Sequence, residues 1–81
     1  MNVVVQYFAA ARERAGLREE RMEVADDATV QIVFEAAVAR HPGLESLRSC
    51  LRFALDEDFC TPQALVRNHH RVALLPPVAG G

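Results

Sequence analysis

The chain contains no lysine; all nine of its basic residues are arginine. No side chain of its own can accept an isopeptide bond, and GC-rich coding is the simplest origin of the bias. It also lacks a basic block. Eleven acidic residues against nine basic ones leave a net charge of −2, which speaks against nucleic acid and anionic membrane as partners. Its apolar runs stop after a few residues, far short of the ~20 needed to span a bilayer. The opening MNVVVQYF has neither the basic start nor the long apolar centre of a secretory signal, so a cytoplasmic protein is expected. No CxxC occurs. Cys50 and Cys60 stand apart and cannot close a zinc site by themselves. The expectation is no bound metal, and reduced thiols that are at least partly buried. No repeat, low-complexity tract or internal linker interrupts the sequence.

What remains is small and ordinary in composition: 81 residues, 51% apolar and 25% charged, typical of a folded domain. A chain of this size buries roughly 60% of its unfolded surface. That allows one domain with one thin core and little room for a deep cleft, which disfavours an enzyme complete in itself.

Residues 2–8 (NVVVQYF) are β-branched and aromatic and predict a strand. Val3, Val5 and Tyr7 share one face and Val4, Gln6 and Phe8 the other. Two largely apolar faces predict a central strand covered on both sides. Residues 9–15 favour a short helix ended by Gly16. Residues 18–25 read as an edge strand, with Met22 and Val24 among charges. Asp26, Asp27 and Thr29 offer caps for a helix starting at Val30. Its apolar arc holds Val30, Val33, Phe34, Ala37, Val38 and His41, and Pro42-Gly43 stops it. His41, near the helix C-terminus, reads as a capping or carbonyl-bonding histidine rather than a ligand. Leu44, Leu47 and Leu51 keep helical spacing. Residues 52–56 predict a strand ending at a polar turn of Asp56, Glu57 and Asp58; residues from Thr61-Pro62 onward are irregular. Residues 71–75 (RVALL) form the last strand, again apolar on both faces.

Two doubly apolar strands from opposite ends of the chain belong side by side at the sheet centre. One long helix can cover one sheet face. The result is an α+β roll with a mixed sheet and one main helix packed on one face. The other face stays partly open, and Phe8 and Leu75 on it would mark a protein-binding surface.

The sequence closes on Leu75-Pro76-Pro77-Val78-Ala79-Gly80-Gly81. Pro76 and Pro77 cannot continue a ladder and hold their neighbours extended. From Pro76 to Gly81 the chain reaches at most roughly 18 Å. Val78 adds an apolar anchor, while Ala79, Gly80 and Gly81 are slim enough to thread a narrow tunnel in another protein. The Gly81 carboxylate, unhindered by a side chain, is the group such a tail would deliver. Activation as an acyl adenylate would open it to sulfur or amine.

RVALLPPVAGG resembles the end of the small, sulfur-carrying subunit of molybdopterin synthase, the MoaD family related to ThiS. VVVQYFAAARERAG resembles that family's first strand and short helix, and ATVQIVFEAAVARHPGL its main helix. The resemblance covers essentially the whole chain and is most specific in the tail. It implies a β-grasp, ubiquitin-like domain over residues 1–75 and an extended tail over 76–81. It implies that an adenylyltransferase related to ubiquitin-activating enzymes (MoeB-like) uses ATP to adenylate Gly81, and that a sulfur donor converts it to a thiocarboxylate. No cofactor would be held by the chain itself. The loaded tail would enter the large synthase subunit (MoaE-like) of a heterotetramer, positioned by Pro76, Pro77, Val78, Ala79 and Gly80. There it would give sulfur to cyclic pyranopterin monophosphate, forming the dithiolene that holds molybdenum. The catalytic groups would be the partner's, since arginines stay protonated and cannot act as bases.

The sequence departs from the family pattern at two places. Asn68-His69-His70 stand where many members carry Asp-Gly-Asp, and Asp56 stands where asparagine is frequent. If that turn needs a positive φ, Asn68 is the residue expected to take it, since histidine would do so at a cost of about 1 kcal/mol or more. Three other functions stay open on sequence alone: a sulfur carrier for thiamine thiazole synthesis, a ubiquitin-like protein modifier, and an interaction domain with an inert tail.

Overall fold

The computed structural model of the chain describes residues 1–77. Strand β1 (Asn2–Tyr7) is followed by helix α1 (Ala10–Ala15), strand β2 (Glu19–Glu23) and helix α2 (Val30–Arg40). A 3-10 helix (Pro42–Leu47) then leads into strands β3 (Arg52–Leu55), β4 (Asp58–Cys60) and β5 (Arg71–Leu75). The five strands form one mixed sheet of order β2-β1-β5-β3-β4. β1 and β5 run parallel at its middle, and every other pairing is antiparallel. The first and last strands are therefore neighbours, as their doubly apolar patterns predict.

Helix α1 ends at Gly16, whose φ of 80° is the left-handed cap that lets its N–H reach the Arg12 carbonyl at 2.8 Å. α2 is capped by Thr29, not by either aspartate; its Oγ1 accepts from the Ile32 N–H at 3.3 Å. The loop after β4 runs along this helix start. Carbonyls of Ala64 and Pro62 take the N–H groups of Val30 and Gln31, both at 2.9 Å. That stretch has no periodicity because it satisfies another element's backbone instead of its own.

The core lies between α2, the 3-10 helix and one sheet face. Val3, Val5, Tyr7, Val72 and Leu74 from the strands meet Val30, Val33, Phe34, Ala37 and Leu44, all almost fully buried. Phe34 meets Phe53 edge to face at 5.7 Å, tying α2 to β3.

Three expectations are corrected. β1 is not covered on both sides: Val4 and Gln6 are half-buried and Phe8 is exposed, because the chain has only one helical layer to spend. The polar turn is shorter than expected. Asp56 and Glu57, with φ of 46° and 74°, make a two-residue hairpin loop, and Asp58 already belongs to β4. At the 68–70 turn the positive φ, 70°, falls on His69. Asn68 is occupied otherwise, since its Oδ1 accepts from the Asn2 N–H at 2.8 Å.

Candidate interaction face

The sheet face turned away from α2 is built by register. Gln6, Ala73, Ala54 and Phe59 follow one another across β1, β5, β3 and β4, with Glu19 of β2 opposite Gln6. Arg52 and Leu75 form a second pair on the same face. The two alanines at the middle are too small to fill the surface. They leave a groove of about 640 Å³ whose lining includes Phe8, Phe59 and Leu75. Phe59 is 71% exposed and Phe8 39%, while Leu75 is half-buried. The Arg52 guanidinium lies 5.6 Å from the Phe59 ring centre and steadies it. Aromatic surface rimmed by arginine, on an otherwise flat sheet, is suited to docking another protein.

Phe8 and Leu75 thus line one groove. Phe59 lines it too, with Arg52 over its ring; Phe59 was missed in the sequence, because a three-residue strand after a two-residue loop carries too little alternation to register. The signal was Asp56-Glu57 between two short apolar runs. Pro76, half-buried, and Pro77, exposed, leave β5 directly beyond Leu75, at the mouth of this groove. Val78, Ala79, Gly80 and Gly81 lie outside the described residues.

A polar network fixes the opposite side. Tyr7 donates through its hydroxyl to Glu20 Oε1 at 2.6 Å. His41 Nε2 meets the same oxygen at 2.6 Å, and Arg40 reaches Oε2 at 3.2 Å. A carboxylate only accepts, so Nε2 must carry the hydrogen. The His41 side chain therefore bonds a carboxylate of β2, not a helix carbonyl. Partial burial pushes the Glu20 carboxyl up, but hydrogen bonds from Tyr7, His41 and Arg40 outweigh it and hold the group below its ordinary value. Burial, and then the Glu20 hydrogen bond, push the Tyr7 hydroxyl far up.

The thiols do not form a site. Cys60 is half-buried, which pushes its thiol up. Cys50 is exposed, contrary to expectation, because it follows the 3-10 helix on its outer side; its thiol donates to the Leu47 carbonyl at 3.3 Å. Among the described residues no group of three or more His, Cys, Asp or Glu could hold a metal ion. No helix among them is long and apolar enough to cross a membrane.

A five-stranded mixed sheet grasping one helix, with an open face and the chain leaving from its central strand, defines a β-grasp protein of the ubiquitin-like class. The sequence profile of the ThiS family matches residues 5–81. The chain belongs to the ThiS family. A molybdopterin synthase sulfur carrier subunit from Chlamydomonas reinhardtii is 35% identical and aligns over the whole of both chains. One from Arabidopsis thaliana is 33% identical over all of this chain and 84% of its own length. Among solved structures, SAMP1 from Haloferax volcanii, a small archaeal modifier protein, superposes over the whole of both chains with a TM-score of 0.91 at 30% identity.

Proposed function

We propose that this chain is the sulfur-carrier subunit of a molybdopterin synthase, with Gly81 as the carrier group. The observation that carries the reading is the end-to-end match to curated subunits of that name. In the proposed cycle the Gly81 carboxylate displaces pyrophosphate from ATP to form an acyl adenylate. A sulfur donor then displaces AMP, leaving a thiocarboxylate. Its sulfur attacks cyclic pyranopterin monophosphate in the partner's active site, and water releases the carboxylate again. ATP is bound by the activating enzyme and the pterin by the large subunit.

The described residues support this division of labour. The Phe8, Phe59 and Leu75 groove supplies a docking face beside the end of β5, which Pro76 and Pro77 follow directly. Docking there would place the outgoing tail against the protein that receives it, with Val78, Ala79 and Gly80 as its slim lead. Relatives named as subunits of a synthase support a large-subunit partner. The test is intact-mass analysis after incubation with ATP, an adenylating enzyme and a sulfur source. The expected product shows one oxygen replaced by sulfur at Gly81, and it transfers that sulfur when mixed with the large subunit. An unchanged mass with a demonstrably active enzyme overturns the reading.

The similarity to SAMP1 favours a second reading, a protein modifier joined through Gly81 to lysines elsewhere. Its signature would be a lysine-linked adduct in cell extracts.

A further inference from the structure

One part of the open sheet face adjoins the groove, sharing His69 and Arg71 with it, but lies away from the groove's Asp56 and Glu57. Val4 of β1 is the register partner of Arg21 on β2 and of Arg71 on β5. The two arginines thus flank one valine, on one face, about 10 Å apart at their Cα atoms by two strand spacings. His69 joins them at the end of a cleft of about 400 Å³, lined by Asn2, Val3, Val4, Arg21, His69 and Arg71. No carboxylate lines it. Glu19 and Glu23 share Arg21's strand and face, yet among the described residues neither Arg21 nor Arg71 enters an ion pair. The nearby Asp56 is engaged: Oδ1 accepts from the Arg71 backbone N–H at 2.8 Å, and Oδ2 lies 3.9 Å from His70.

His69 adds an independent sign. It holds φ at 70°, a region in which a side chain is strained and glycine is not. The strain brings an imidazole to the cleft. Asn68 Nδ2 lies 3.1 Å from His69 Nε2; with the amide donating there, Nδ1 is the ring nitrogen that carries a hydrogen.

We propose that this cleft binds a phosphoryl group. Arg21 and Arg71, on either side of Val4, and the His69 imidazole line one cleft, a donor set that suits the three peripheral oxygens of a tetrahedral dianion. A planar carboxylate is already served by one guanidinium. The site lies at the start of β5, the far end of that strand from Pro76, so it is separate from the tail and does not depend on the sulfur-carrier reading.

The test is a titration of the full chain with inorganic phosphate at fixed ionic strength, followed by amide nitrogen–proton correlation spectra. Saturable shifts at Val4, Arg21, His69 and Arg71 are expected. Binding should weaken roughly tenfold in the Arg21→Gln/Arg71→Gln double variant. In His69→Gly, which suits the backbone there and keeps the fold, it should weaken roughly threefold. Adenosine monophosphate distinguishes the sources. Equal affinity means that the phosphoryl group alone is read; tighter binding means a nucleotide phosphomonoester. Non-saturating shifts, unchanged affinity in the double variant, or a response to tetraglutamate but not to phosphate would each overturn the proposal.

Discussion

The two faces of the sheet are made from the same five strands and behave as different materials. On the α2 side, alternate residues of β1 and β5 are almost fully buried against helix side chains. On the other side, their immediate neighbours are Asn2, Val4, Gln6, Arg71, Ala73 and Leu75. The period-two alternation of a strand separates stability from recognition at single-residue resolution. Stability belongs to the covered face, and the open face is free to carry docking chemistry. The largest effect that checks this division is Phe34→Ala. Phe34 is 1% exposed and packs on Phe53, so truncation should cost about 3–5 kcal/mol. That is a large share of the stability of a small domain. Urea unfolding measures it; a loss below about 1 kcal/mol would mean that the core is not centred on α2.

The next effect lies at the margin of the covered face, where Glu20 accepts from Tyr7, His41 and Arg40 and so joins β1, β2 and the end of α2. Glu20→Gln should cost about 1–2 kcal/mol at neutral pH. The folded-state value of this carboxyl lies below its ordinary 4.5. Its contribution is therefore fully present above that pH and is lost as pH falls through the folded value. The wild-type and Glu20→Gln unfolding midpoints should converge in that acid range. Parallel curves would show that the network contributes nothing through ionisation.

These particulars also show what could be read in the sequence and what could not. The first and last strands, the α2 arc and the Gly16 stop were legible because each rests on a local pattern or a single special residue. β4 was not, since Asp58–Cys60 owes its strand to pairing with Phe53, Ala54 and Leu55. His41 caps α2 as expected, but the bond from its ring to Glu20 was not legible because that partner is distant in sequence. The open face was half-legible: Phe8 directly follows β1 and Leu75 ends β5, both within clear apolar patterns, whereas Phe59, Arg52 and the Arg21–Val4–Arg71 row emerge only from cross-strand register. Asn68 and His69 exchanged their expected roles because a long-range bond to Asn2 had already claimed the asparagine.

That exchange gives a smaller effect of opposite sign. His69→Gly removes a side chain from a positive φ and should stabilise the domain by about 0.5–1 kcal/mol, after allowing for the greater freedom of glycine when unfolded. A raised urea midpoint with an unchanged slope is the expected result. If the variant is also the weaker phosphate binder, the strain at His69 is held for recognition at the expense of stability.

The smallest effect on stability belongs to the most exposed aromatic residue. Phe59 stands on an edge strand, 71% exposed, with Arg52 over its ring. Phe59→Ser removes that stacking and little else, so the domain should lose no more than about 0.5 kcal/mol. The same substitution should sharply weaken association with the large synthase subunit, because an exposed aromatic beside an arginine is the kind of anchor on which binding energy concentrates. Calorimetric titration of the two proteins, paired with urea unfolding of the variant, reads both quantities. A variant that binds normally would remove Phe59 from the docking face. One that unfolds as readily as Phe34→Ala would erase the distinction between the two faces.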